Sequence, residues 1–150
     1  MYKINVVCVG NLKDKFFKDA QEEYLKRISR FAEITVIECA ESKEDGVNAV
    51  IKEENGILAA LKGFVILLDI GGTLITSEDL ASTIQKAVIT QPQITFVIGG
   101  SRGVSDKVRA SSMQKISFGR ITLPHRLCRI VLEEQIYRGL CIINNVPYHK

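Results

Sequence analysis

No apolar run in this 150-residue sequence approaches the roughly 18 residues that a membrane-crossing helix needs. The four cysteines, Cys8, Cys39, Cys128 and Cys141, form no Cys-x-x-Cys, and only Cys128 has a histidine nearby, His125. With two histidines in all, a zinc site lacks ligands, so no metal is expected and reduced, buried thiols are. The chain contains no G-x-x-x-x-G-K-[ST] and no G-x-G-x-x-G between its first strand and first helix. It also has no G-x-S-x-G and no H-E-x-x-H. These absences argue against a P-loop nucleotidase, a dinucleotide-binding domain, an esterase-type hydrolase and a zinc protease. The opening Met1–Val9 alternates like a strand and lacks the length and cleavage pattern of a signal peptide. The expectation is a single domain over residues 1–150, cytoplasmic, with no membrane partner.

Charge is unevenly spread along the chain. Residues 1–75 carry 10 Lys/Arg against 12 Asp/Glu, whereas residues 76–150 carry 10 against 5. From Gly99 onward nine basic residues face three acidic ones, a local net of +6. Either an anionic partner, nucleic acid first, meets this third of the chain, or it forms a solvated basic face.

Apolar spacing predicts alternating strands and helices. Strands are expected at Ile4–Val9, Ile34–Cys39, Phe64–Leu68, Ile94–Ile98 and Lys115–Phe118. Phe17, Ala20, Tyr24, Ile28 and Phe31 recur at helical steps. A weaker helical pattern runs from Val47 to Leu61, interrupted by Asn55-Gly56, and Ser77 can cap a helix striped by Leu80, Ile84 and Val88. Ser105 opens a short helix, and Arg126–Ile143 a long one. The fold class is therefore α/β, with a mostly parallel sheet flanked by helices. On the last helix Leu127, Ile130, Val131, Tyr137 and Cys141 share one side, with Leu132, Ile136, Leu140 and Ile143 opposite. One side is expected against the sheet and the other against a second subunit; the alternative is a helix wedged between elements of its own chain. Glu134 and Arg138, one turn apart, would neutralise each other in such an interface.

Ligands of open α/β sheets bind beyond the carboxyl ends of strands. Three loops qualify: Asp69–Gly72, Gly99–Gly103 and Gly119–His125. Their glycines either admit a ligand close to the backbone or make tight turns. Asp69 reads as a catalytic carboxylate or as a residue ordering its own loop. His125 reads as structural or functional, and the tail Tyr148-His149-Lys150 as functional or frayed.

Four segments together are more specific. Phe96–Gly103, Ile121-Thr122-Leu123-Pro124-His125-Arg126, Glu134-Gln135-Ile136-Tyr137-Arg138 and the terminal Tyr148-His149-Lys150 resemble the ribosomal RNA large subunit methyltransferase H family of the SPOUT class. The opening Val9-Gly10-Asn11-Leu12-Lys13 resembles that family's usual start. The connector Ala40–Gly46 looks shorter than is usual there. The resemblance implies a SPOUT-type α/β knot with a C-terminal trefoil. It implies transfer of a methyl group from S-adenosylmethionine to N3 of a pseudouridine in large-subunit rRNA, within the assembled ribosome, by a homodimer. Carried over by position, the donor contacts would be Leu68, Gly99, Phe118, Gly119, Arg120, Ile121, Thr122 and Leu123. The tail would fold over the site with Tyr148 and His149 as catalytic groups. Arg102, Arg129 and Lys150 are the expected RNA contacts, although Arg129 and Arg138 have the alternative of pairing with Glu133 and Glu134. The competing reading is a non-catalytic RNA- or nucleotide-binding α/β module.

Overall fold

The computed structural model describes residues 1–150, in which five strands and five helices alternate. They are β1 Tyr2–Val9, α1 Lys15–Ile28, β2 Ala32–Cys39, α2 Val47–Ala60, β3 Phe64–Leu74, α3 Ser77–Thr90, β4 Ile94–Ile98, α4 Asp106–Ala110, β5 Gln114–Ser117 and α5 His125–Ile143. The strands form one parallel sheet in the order β2-β1-β4-β3-β5. Parallel neighbours require crossovers, and the helices supply them, covering both faces.

Alternate residues of each inner strand feed two cores. Ile4, Val6 and Cys8 of β1, with Ile66 of β3 and Ile94, Phe96 and Ile98 of β4, meet α1, α3 and α5. Val7, Val9, Val65, Leu67 and Val97 point the other way, toward Ile57 of α2 and Val108 of α4. This period-two division explains why the strands read as continuous apolar runs.

The structure differs from expectation first in three local details. Residues 69–76 are not simply a loop. β3 continues to Leu74 with a register shift, so that Leu68 and Thr73 both pair with Ile116 of β5. Gly72 permits this, because a Cβ there would lie 2.9 Å from the Ile116 backbone. The cap of α3 is Thr76 rather than Ser77: the Thr76 hydroxyl accepts from the Asp79 N–H at 3.0 Å, and Asp79 accepts from the Thr76 N–H at 2.9 Å. Asn55-Gly56 does not interrupt α2, which runs through both. Gly56 turns its Cα to Cys39 of β2, where a Cβ would be 3.5 Å from the Cys39 Cβ.

α5 is wedged beside α1 and α3 of its own chain, which corrects part of the two-faced reading. Leu132, Ile136, Leu140, Tyr137 and Cys141 are all buried within one chain. A helical wheel registers an apolar face but not whether the neighbour belongs to the same chain. The stripe of Leu127, Val131, Glu134 and Arg138 keeps partial exposure.

Candidate active site

The carboxyl ends of β3, β4 and β5 border a cavity of about 600 Å³. Leu68 and Asp69 come from β3, Gly99, Gly100 and Ser101 follow β4, and Phe118, Gly119, Ile121, Thr122 and Leu123 follow β5. The first turn of α5 closes it with His125 and Cys128.

Local chemistry fixes each wall. After β4, Gly103 N–H donates to the Gly100 carbonyl at 3.0 Å, a tight turn. A Cβ on Gly99 would stand 2.7 Å from the Gly103 carbonyl and from Val104, so this glycine is required by the loop's own backbone. After β5, Ser117 Oγ receives the Gly119 N–H at 3.1 Å and donates to the Gly119 carbonyl at 2.8 Å. Gly119 itself has φ +141°, a conformation that suits glycine.

The cavity lining is largely apolar, with a few polar groups. Asp69 pairs with Arg109 of α4, and its other oxygen accepts the Gly71 N–H at 3.2 Å. It therefore orders its own loop, as the second of its two sequence readings had it. His125 Nε2 is buried with no hydrogen-bond partner and lies 3.8 Å from Glu41 Oε1. Burial lowers the His125 pKa, with the neighbouring Arg126 in the same direction, so the ring is neutral at pH 7. Burial pushes the Cys128 thiol up to about 11, which keeps it protonated.

Seven of the eight expected donor contacts line this cavity: Leu68, Gly99, Phe118, Gly119, Ile121, Thr122 and Leu123. The Arg120 side chain does not. It turns away to hold the irregular end of β3, donating to the carbonyls of Ile70 and, at 3.2 Å, Gly72. Of the expected RNA contacts, Arg102 is exposed beside the cavity loop and pairs with Asp45 at 2.9 Å, and Lys150 is exposed at the terminus. Arg129 is a correction. It is fully buried, donating to Glu38 at 2.7 Å and to the Gly10 carbonyl at 2.9 Å, so no phosphate can reach it from solvent. Its alternative partner Glu133 lies close by without a hydrogen bond to it, whereas Arg138 does pair with Glu134 at 2.8 Å.

The tail is ordered and does not border the cavity of its own chain, which leaves the partner's cavity as the site it could cover. Tyr148 packs edge-on against Tyr137 with 4.7 Å between ring centres and donates to Glu134 at 2.8 Å. Burial and this bond push the Tyr148 hydroxyl up to about 12, so it is a donor at neutral pH. His149 Nδ1 accepts from Arg138 at 3.1 Å, which leaves Nε2 to donate to Glu78 of α3 at 2.7 Å. α5 anchors this cluster on the turns after Glu134, away from His125. His125, read from sequence as structural or functional, brings an unpartnered nitrogen to the cavity, whereas Arg109 carries no local signal in the sequence.

The description "Predicted SPOUT methyltransferase" matches residues 2–149. This chain belongs to the ribosomal RNA large subunit methyltransferase H family of SPOUT methyltransferases. Proteins bearing that family name are 42% identical in Caldicellulosiruptor saccharolyticus, 43% in Oenococcus oeni and 44% in Lactobacillus acidophilus. The alignments cover 98–100% of this chain and 99–100% of those proteins. A solved structure described as "a probable methylase family protein" from Haemophilus influenzae has the same fold, with a TM-score of 0.56 over 98% of this chain and 70% of that one at 13% identity.

Proposed function

We propose that this chain transfers the methyl group of S-adenosylmethionine to N3 of a pseudouridine in large-subunit rRNA, as a cytoplasmic homodimer acting on the assembled ribosome. The observation that carries the reading is the cavity itself, bordered by seven of the eight residues that the family resemblance assigns to the donor. The named relatives are large-subunit rRNA methyltransferases, which supports the substrate class. A C-terminal trefoil knot belongs to the same reading.

The residues fit the donor. Leu68, Ile98, Phe118 and Leu123 offer an apolar wall for an adenine ring, and Gly99 and Gly100 bring bare backbone to the cavity edge. The buried His125 nitrogen supplies one polar atom awaiting a partner. The sulfonium donor supplies an already electrophilic methyl carbon. The chain must then hold the base nitrogen in line with it and take up the N3 proton.

Tyr148 and His149 are proposed to do this in the partner's cavity, the Tyr148 hydroxyl holding the base as a donor and the His149 imidazole taking the proton on Nδ1 once Arg138 leaves it. Ile70, Leu74, Ile121 and Leu127 are exposed apolar side chains around the cavity mouth and the start of α5. The tail rests on Glu134 and Arg138, on the same exposed stripe of α5 as Leu127. A second copy covering that stripe would bring each tail to the other's cavity.

Single-turnover methylation of unmodified ribosomes tests the reading, with calorimetry for the donor. Methyl incorporation at one pseudouridine is expected. Ribosomes left unmethylated would overturn it, and no heat on titration with the donor would favour the non-catalytic module.

A further inference from the structure

At the other half of the same sheet edge, the ends of β1 and β2 border a second cleft of about 630 Å³. It involves the opening motif Val9–Lys13, for which the donor cavity has no use. The lining is polar: Asn11, Lys13, Ser42 and Lys43 stand beside Glu38 and Glu41.

Charge within the cleft is not balanced. Glu38 is paired with the buried Arg129 at 2.7 Å, and Glu41 with Arg126 at 3.0 Å. Both carboxylates are thus matched by arginines that do not line the cleft. Lys13 and Lys43 are exposed, and neither has a carboxylate within 4.0 Å. The cleft therefore presents two uncompensated cations.

Its floor is fixed. Gly10, at φ +82°, donates its N–H to the Cys39 carbonyl at 2.8 Å and accepts from Arg129 at 2.9 Å. The Asn11 carbonyl accepts from Arg126 at 2.8 Å, and Leu12 is buried. Lys13 and the Asn11 amide accordingly project from an anchored loop. The wall toward the donor cavity is thin: Glu41 borders the cleft, His125 borders the cavity, and the two lie 3.8 Å apart. A protein partner would need apolar anchors, and Cys39 and Ala40 are the cleft's only apolar residues. A polyanion needs cations and hydrogen-bond donors, which are present.

We propose that this cleft carries the RNA strand past the donor cavity, with Lys13 and Lys43 on phosphates flanking the target nucleotide and the Asn11 amide on a sugar or base edge. The proposal rests on the rRNA methyltransferase reading and gives that substrate its path.

The test compares wild type with the double variant Lys13→Glu/Lys43→Glu, both titrated with unmethylated ribosomes over a salt series. At about 0.15 M salt the variant should bind about tenfold more weakly, and its log–log salt slope should be shallower by about 1.4, from about 0.7 per phosphate contact on single strands. Lys13→Arg/Lys43→Arg should keep wild-type affinity. Donor affinity by calorimetry and the melting temperature should not move, since both lysines are exposed and unpaired. A natively melting double variant with wild-type affinity and slope would overturn the cleft proposal alone. A wild type that binds donor but methylates no ribosome would instead sink the parent reading, and the RNA path with it.

Discussion

Glu133 is fully buried, and neither of its carboxyl oxygens has a hydrogen-bond partner. Burial pushes its pKa up to about 8, with Arg129 pulling the other way. The folded chain thus holds this proton more tightly than the unfolded chain. The associated stability is fully present below about pH 4.5 and is lost as pH rises through about 8. Glu133→Gln should melt like wild type at pH 4.5 and at a higher temperature at pH 8.5; parallel melting curves for the two proteins across that range would contradict this. Gly99 offers a second residue-scale expectation. Because a Cβ there meets the Gly103 backbone at 2.7 Å, even Gly99→Ala should force the loop open. Calorimetry should show at least about a tenfold loss of donor affinity, equivalent to about 1.4 kcal/mol, and unchanged affinity would mean that the loop can give without reshaping the cavity. Arg129 shows why single residues mislead. Its place in the basic third of the chain invited an RNA role, yet its partner Glu38 lies 91 positions away on β2. No local pattern reports such a pairing.

The strands and helices were readable because buried strands and amphipathic helices leave periods that survive without tertiary knowledge. All five strands and all five helices fall where spacing put them, within about three residues at every end but that of β3. The end of β3 was not readable. Gly71-Gly72 carries the same composition as a turn, and only the approach of Ile116 makes it a bulge. The two glycine pairs therefore separate: Gly99-Gly100 borders the cavity, whereas Gly71-Gly72 serves the sheet. The loop after β5 was readable as a strand-end loop, but its single residues entered the site through family likeness, since nothing in the period of Phe118–Leu123 marks a ligand. The order of the tail was also invisible, because its contacts reach back to Glu78, Glu134 and Arg138. Deleting Tyr148–Lys150 should leave donor affinity within about twofold of wild type, as the segment does not border the cavity of its own chain. It should remove methyl transfer in single-turnover assays. A truncated protein working at the wild-type rate would reduce the tail to packing.

At the scale of the whole molecule, the proposed dimer makes a prediction about the exposed apolar side chains. Leu127→Glu would place a charge on the half-exposed stripe of α5 without touching either core, and Ile121→Asp would do the same at the cavity mouth. Light scattering should find wild type as a dimer and the double variant as a folded monomer that no longer transfers methyl groups; a monomeric wild type would refute this. The strand order has a different outcome, in time rather than space. β1 is synthesised first, yet it is paired on one side with β2 and on the other with β4, whose residues lie about ninety positions downstream. Until Ile94–Ile98 leaves the ribosome, one edge of an almost wholly apolar strand has nothing to pair with. The cavity comes later still, since it needs His125 and Cys128. Such non-local pairing makes closure slow, on the order of milliseconds to seconds in small domains of high contact order. The nascent chain must therefore carry an open sheet edge through most of its own translation, beside the very particle whose RNA it is proposed to modify.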